Sequence, residues 1–391
     1  MNRRILITLF FSIFTSVTGV GIVVPLLPVY ASNLGASGFM VGMIFGSFSF
    51  SRILFLPYFG KRSDMKGRKP FIAFGLFMYS LVSVAFMFSD GVTELIVIRF
   101  IQGIASAMIL PVCQAYVGEL APQGREGFFM GIFNISMYSS LSLGPILGGV
   151  VHDHFGLKTA FACMGGLSLL ACAMAAIFLP PVKDEPRLAR GREPVKYRIL
   201  MHNGKIMGAI ALRTAYTFCI GAIWGFLPVF ADTEFGLSSS SIGFLIMLGV
   251  LTSGVLQTPM GWLADRIDKK ILCVTGSLII AVAVYSFSYA RGFWSLFACN
   301  MAFGVGGGIV VPALTAICVI EGHKEKAMGS VMALLTIGHS LGMLTGSLVA
   351  GILMDVFSLS AAFTTSGVLA TLGALFFVWA AGRESRKELA V

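Results

Sequence analysis

The sequence predicts an all-α integral membrane protein: twelve transmembrane helices arranged as two pseudo-symmetric six-helix halves. Three observations predict this class. The 391 residues are 57% hydrophobic and only 12% charged, whereas a soluble domain carries about 25% charged residues. The apolar residues fall in repeated runs of about 20, the length a helix needs to cross a hydrocarbon core. Backbone groups in lipid must pair internally, and single runs of this length do so as helices. Finally, the stretch Gly60-Lys61-Arg62-Ser63-Asp64-Met65-Lys66-Gly67-Arg68-Lys69 returns downstream as Gly261-Trp262-Leu263-Ala264-Asp265-Arg266-Ile267-Asp268-Lys269-Lys270. Gly261 follows Gly60, and Asp265 follows Asp64, by 201 residues.

Taken in order, the spans are expected at roughly 5–31, 39–59, 71–89, 94–117, 127–150 and 159–180, then 205–231, 240–260, 271–289, 294–317, 327–353 and 360–381. Arg3 and Arg4 precede the first span as they would in a signal peptide. Its apolar part nevertheless runs to Ala31 and contains Pro25 and Pro28, which favours a retained helix. With the N-terminus inside, the cytoplasmic segments hold 23 of the 28 Lys and Arg residues; Lys158 and Arg291 fall outside, and Arg52, Arg99 and Arg213 lie within spans. The positive-inside rule then sets the orientation, with both termini cytoplasmic in a multi-pass cell (inner or plasma) membrane protein. The net charge of +10 is a topology signal and a contact with the anionic leaflet, so no nucleic-acid partner is expected. All seven cysteines sit in apolar runs without metal-ligand spacing, so neither a metal centre nor a disulfide framework is expected.

Between the halves 1–180 and 205–391, residues 181–204 mix charges with prolines and read as a cytoplasmic linker; the chain ends in a short cytoplasmic tail. The duplication extends well beyond one loop. Arg99, Gly103 and Pro111 match Asn300, Gly304 and Pro312 at the 201-residue spacing. Leu27-Pro28-Val29-Tyr30-Ala31 matches Leu227-Pro228-Val229-Phe230-Ala231 at 200, and Gly131, Gly144 and Gly148 match Gly329, Gly342 and Gly346 at 198. Both halves begin on the same side, so the repeat is parallel and a site is expected between the halves.

On these motifs the chain resembles the major facilitator superfamily over nearly its whole length. The family's loop signature is matched at Gly60, Asp64, Gly67, Arg68 and Lys69, with departures at Arg62 and Met65. The resemblance implies a cytoplasmic conformational latch. In it Asp64 faces the N-terminal dipole of the eleventh helix, Arg68 pairs with Glu119, Gly60 permits close approach, and Asp265 is the second copy of the acid. The alternative is that these charges only set topology. Gly144-Pro145-Ile146-Leu147-Gly148-Gly149 in the fifth helix resembles the signature of the family's antiporting exporters, with Ser140 in place of a usual glycine. Small residues let helices approach closely and Pro145 bends the helix. This surface is expected to rock against the eleventh helix, whose Gly338, Gly342 and Gly346 repeat the small faces; plain packing accounts for the glycines equally well.

The ionisable groups inside the spans are Arg52, Arg99, Arg213 and His339, while all eighteen acids lie in loops or at span ends. An arginine inside a span is costly unless it faces protein or water. Arg99, Gln102 and Ser106 share one helix face, and the resemblance implies that this arginine assists proton exchange. The other reading has Arg99 snorkelling outward to Glu94, and Arg52 and Arg213 snorkelling inward. His339 is the intramembrane group able to change charge near neutral pH; a neutral histidine bridging two helices fits as well. The resemblance places substrate-binding or coupling residues on helices one, four, seven and ten. It implicates Ser12, Thr15, Ser16, Arg99, Gln102, Ser106, Arg213, Tyr216, Thr217, Trp224 and Asn300, to which Arg52 and His339 are added for their charge. His152-Asp153-His154 has the look of a metal cluster but lacks further ligands nearby.

The expected function is secondary active transport of amphipathic small molecules by alternating access, as a monomer in the bilayer. It would be proton-coupled efflux, powered by the proton gradient and without a cofactor. The alternative is a transporter of organic anions or lipid-like anionic substrates that uses the intramembrane arginines. A membrane-embedded enzyme is opposed by the lack of any nucleophile–base pair within the spans.

Overall fold

The computed structural model describes residues 3–120, 126–179, 200–264, 266–325 and 328–389. Among them are twelve α-helices and no strand: α1 (Arg3–Asn33), α2 (Gly38–Lys66), α3 (Lys69–Met87), α4 (Val92–Leu120), α5 (Glu126–Phe155), α6 (Leu157–Phe178), α7 (Gly204–Phe235), α8 (Ser239–Ala264), α9 (Lys269–Phe287), α10 (Phe293–Lys324), α11 (Met328–Val356) and α12 (Leu359–Leu389). Eleven of them carry a stretch long and apolar enough to cross a membrane.

Local chemistry sets the helix ends. The matched segments Leu27–Ala31 and Leu227–Ala231 both run into a left-handed glycine, Gly35 (φ 80°) and Gly236 (φ 59°). Behind each glycine a backbone N–H reaches back over the last turn: Ala36 to the Ala31 carbonyl at 2.9 Å, Leu237 to the Ala231 carbonyl at 3.1 Å. This geometry satisfies carbonyls that the helix end leaves open, and glycine adopts it without a Cβ penalty. The start of α7 is capped by Asn203, whose Oδ1 accepts from the N–H groups of Lys205 (3.0 Å) and Ile206 (3.2 Å). Asp268 caps α9 in the same manner through Lys270 N–H at 2.9 Å.

The basic stretch after Gly60, expected as a loop, is mostly helix: α2 continues to Lys66 and only Gly67 and Arg68 separate it from α3. No proline or glycine lies between Lys61 and Lys66, so nothing there breaks the hydrogen-bond ladder.

The chain forms two compact units. The first is Met1–Ala36, Met43–Leu188 and Ala231–Met247; the second is Ser37–Gly42, Ala189–Phe230 and Leu248–Val391. In the first unit the core is built from Leu9 and Ile13 of α1, Ile72, Leu76 and Tyr79 of α3, Ile109 and Tyr116 of α4, and Ala171 and Ala175 of α6. In the second, α9 packs between α10 and α12, with Phe287 and Phe363 buried against each other at 5.4 Å. Large apolar side chains such as Phe74, Ile177, Val282 and Leu375 are exposed, whereas Arg99, Gln102 and many Ser and Thr are buried. That inversion of the soluble pattern fits a protein solvated by lipid.

The glycines of α5 and α11 serve contacts inside their own units. A Cβ on Gly144 would meet Gly21 and Thr18 of α1, and one on Gly148 would meet Ile22. Gly338, Gly342 and Gly346 lie against Ile210, Thr214, Thr217 and Phe218 of α7. Within the units, then, Gly144 and Gly148 pack α5 on α1, and Gly338, Gly342 and Gly346 pack α11 on α7. The repeat explains this, because α5 stands on α1 as α11 stands on α7.

A charged anchor holds the C-terminal end of α10 to the start of α7. Glu321, with a side chain 3% exposed, lies 3.5 Å from Lys205 Nζ and 3.8 Å from Lys324 Nζ, and its Oε2 accepts from Asn203 Nδ2 at 2.9 Å. Glu321→Gln is expected to destabilise the protein by about 3 kcal/mol, as when one partner of a buried pair is lost. Adding Lys205→Met should restore part of that loss. Thermal unfolding of both variants checks the pairing, and an unchanged melting temperature in Glu321→Gln would dismiss it.

Candidate functional site

Arg99 is the best-defined polar centre of the first unit. It is 2% exposed, its Nε donates to the Ile44 carbonyl at 3.2 Å, and its Nη1 donates to Gln102 Oε1 at 2.7 Å. Its guanidinium lies over Phe48 (4.4 Å) and Phe45 (5.1 Å), contacts worth about 2 kcal/mol each once desolvated. Glu94 instead accepts from its neighbour Asp90 N–H at 3.0 Å. The outward-snorkelling reading of Arg99 therefore fails, because α4 turns the side chain onto α2.

α4 can lie so close to α2 because Gly103 sits where a Cβ would strike Ser51 Oγ and the Phe48 carbonyl. Arg52 stands over the same Phe48 ring at 5.6 Å, half-buried, so two guanidiniums share one aromatic. The buried Arg52 Nε and Gln102 Nε2 have no hydrogen-bond partner among the described residues.

The second unit brings Arg213, Tyr216 and His339 together. Arg213 Nη2 lies 3.2 Å from His339 Nδ1, and its guanidinium is 5.8 Å from the Tyr216 ring. Tyr216 in turn stacks on Phe303 at 5.7 Å and 27°. A guanidinium can only donate, so in this pair His339 Nδ1 accepts and that nitrogen is unprotonated. A proton on Nδ1 would remove the acceptor and set two cations face to face. The pair is thus a junction between α7 and α11 that protonation would break.

Asn300, the counterpart of Arg99, lies on Gly249 of α8, with Cγ and Oδ1 under 3 Å from where a Cβ there would stand. Trp224 is half-buried further along α7. Two α1 hydroxyls turn back on their own helix, Ser12 to the Thr8 carbonyl (2.8 Å) and Thr15 to the Ser12 carbonyl (3.1 Å). Thr217 does likewise with the Arg213 carbonyl at 2.9 Å.

Of the residues expected to form a latch, Arg68 is buried and its Nη1 donates to Ser63 Oγ at 2.8 Å. The side chains of Asp64 and Glu119, and the whole of Asp265, lie outside the described residues. Gly67 takes φ 87°, and no described atom comes within 4 Å of a Cβ built on Gly60.

Two carboxylates that sequence reasoning left among the loop acids have well-defined partners. Asp355 Oδ2 accepts from Phe39 N–H at 2.8 Å and Asp153 Oδ2 from Ser240 N–H at 2.8 Å. A signal was available in the repeat: Asp355 follows Asp153 by 202 residues, and Ser240 follows Phe39 by 201. With Asp153 so engaged, His152 Nδ1 stands 3.4 Å from its other oxygen, and no group of three or more metal-ligating side chains occurs among the described residues.

Comparisons with known proteins agree with this architecture. Over 361 residues the chain is 28% identical to an uncharacterised MFS-type transporter of Methanocaldococcus jannaschii, covering 91% of this chain and 92% of that one. It is 25% identical over 363 residues to the quinolone resistance protein NorA of Staphylococcus aureus, covering 91% of each. Among solved structures, a bacterial homologue of the human lysosomal transporter Spinster shares the fold with a TM-score of 0.83 at 13% identity, over 99% of this chain and 98% of that one. A family model matches twice, over residues 9–233 and 209–390. The two matches follow the parallel repeat read from the sequence, and the chain belongs to the Major Facilitator Superfamily.

Proposed function

We propose that this transporter exports amphipathic small molecules by alternating access, as a monomer in the cell membrane with both termini cytoplasmic, and draws on the proton gradient. The observation that carries the reading is the Arg213–His339 pair. It joins the span group able to change charge near neutral pH to a permanent cation, on two helices of one unit. Protonation of His339 breaks the hydrogen bond and leaves α7 and α11 a different contact, which is the bistable element that coupling needs. The similarity to NorA over most of both chains supports efflux of foreign compounds. Arg52 and Arg99 around Phe48, together with Arg213, also favour a second reading, in which the exported compounds are organic or lipid-like anions, since fixed guanidiniums attract acidic groups and repel cations.

The test is transport in proteoliposomes with matched anionic and cationic amphiphiles, with and without a proton gradient. Wild type should accumulate substrate only with the gradient. His339→Gln should still exchange substrate downhill but lose at least tenfold of the gradient-driven flux. Gradient-driven flux at the wild-type level in that variant would remove His339 from coupling.

A further inference from the structure

On the side that the basic-residue distribution assigns to the outside, two helices begin on carboxylates from elsewhere in the chain. In the second unit, Gly38 and Phe39 at the start of α2 both donate backbone N–H groups to Asp355 near the end of α11, at 2.5 and 2.8 Å. In the first unit, Ser240 at the start of α8 donates its N–H (2.8 Å) and its hydroxyl (2.5 Å) to Asp153 near the end of α5. The first N–H groups of a helix have no partner within it, and a carboxylate there also meets the positive end of the dipole.

The two grips are copies of one device. Asp355 and Gly351 follow Asp153 and Gly149 by 202 residues, while Ser240 and Gly243 follow Phe39 and Gly42 by 201. Gly351 packs on the Gly38 backbone as Gly149 packs on Ser239 and Ser240. One turn deeper, Gly42 meets Ser347 and Leu348 as Gly243 meets Pro145 and Ile146. At each place a missing side chain lets backbone touch backbone, which brings the carboxylate within reach of the amides. In both cases the helix start and the acid come from opposite sequence repeats.

We propose that Asp153 and Asp355 are a repeat-related pair of outer latches, each holding the N-terminus of a helix from the other repeat, and that both release and re-form in every transport cycle. The device rests on alternating access as the mode of transport. A carboxylate on amide N–H groups suits a contact that must open repeatedly. Its hydrogen bonds are charge-assisted, yet water can replace them at an outer surface without stranding a buried charge. The same acids in a permanent staple would have no need of a position at the solvent-facing rim.

Two measurements on the full chain test this without knowledge of the substrate. Amide hydrogen exchange should rise at least threefold over residues 37–43 in Asp355→Ala and over 238–244 in Asp153→Ala, each leaving the other segment unchanged. Asp→Asn variants should lie between, because asparagine still accepts from amides but carries no charge. The second measurement is labelling from outside by a membrane-impermeant maleimide. The target is Val41→Cys, a fully buried α2 position, in a protein whose exposed Cys163 is replaced by Ser. Its rate should increase at least threefold when both aspartates are changed to alanine. Unchanged exchange would show that the carboxylates do not hold the helices, and raised exchange with unchanged labelling would reveal static caps; either result overturns the proposal. Should the double alanine variant not fold, the double asparagine variant carries the same two readouts. Loss of amphiphile transport with both readouts as expected would fault the proposed substrates and leave the latches standing.

Discussion

Gly304→Leu is expected to leave no folded transporter in the membrane, and Gly103→Leu to do the same. A Cβ at Gly304 would strike the Gly249 carbonyl and stand 3.1 Å from Thr252 Cβ; one at Gly103 would strike the Phe48 carbonyl and Ser51 Oγ. The obstacle is mostly backbone, so no rotamer change relieves it. Overpacking costs about 1–3 kcal/mol where neighbouring side chains can give, and here backbone stands in the way of all four added carbons. A typical domain has only about 5–15 kcal/mol of stability to lose. Gly166→Leu is the control, because no described atom lies within 4 Å of its Cβ position; its yield and melting temperature should match wild type. Monodisperse Gly304→Leu protein with a wild-type melting temperature would mean that α8 and α10 do not meet as described.

Arg213→Gln is expected to shift the preference for anionic over matched cationic amphiphiles about tenfold toward the cation, and Arg52→Gln to shift it the same way. At an effective dielectric near 20, unit charges 4 Å apart interact by about 4 kcal/mol, and about 1.4 kcal/mol already corresponds to tenfold in affinity. A third of the full interaction therefore suffices, which allows for a partly hydrated site. Arg213→Gln also removes the donor to His339 Nδ1, so the proton dependence of transport should change in that variant and stay as in wild type in Arg52→Gln. The measurement is competition by paired amphiphiles that differ only in head-group charge. An unaltered preference in both variants would take the guanidiniums out of substrate recognition and leave amphipathicity as the criterion.

The helical class, the twelve helices and the repeat were legible in the sequence because each depends on local quantities. Span length follows from bilayer thickness and rise per residue, and duplication leaves residues such as Gly103 and Gly304 at a constant spacing. The first and seventh spans were expected to end at 31 and 231, and the helices run on to the turns at Gly35 and Gly236. What a side chain meets across a helix–helix contact is not local. Nothing in the order of residues distinguishes an Arg99 that snorkels to Glu94 from one that folds onto Phe48 and Gln102, since both lie within its reach. The same applies to α5, whose glycines suit several neighbours: packing set Gly144 and Gly148 on α1 and Gly149 on α8.

The acids make the point most clearly. From the sequence, Asp153 and Asp355 were two of eighteen carboxylates at span ends, and Asp153 stood out only for the histidines on either side of it. Tertiary structure alone brought the starts of α8 and α2 to them, because a helix N-terminus is a binding site only for a group that the fold delivers to it. Likewise the sequence by itself determined that His339 and Arg213 lie within membrane spans; only the packing of α11 on α7 set them 3.2 Å apart. Composition and periodicity are properties of single segments, and they settled the segments. Pairings between residues far apart in the chain depend on how those segments pack, and packing is decided by shape.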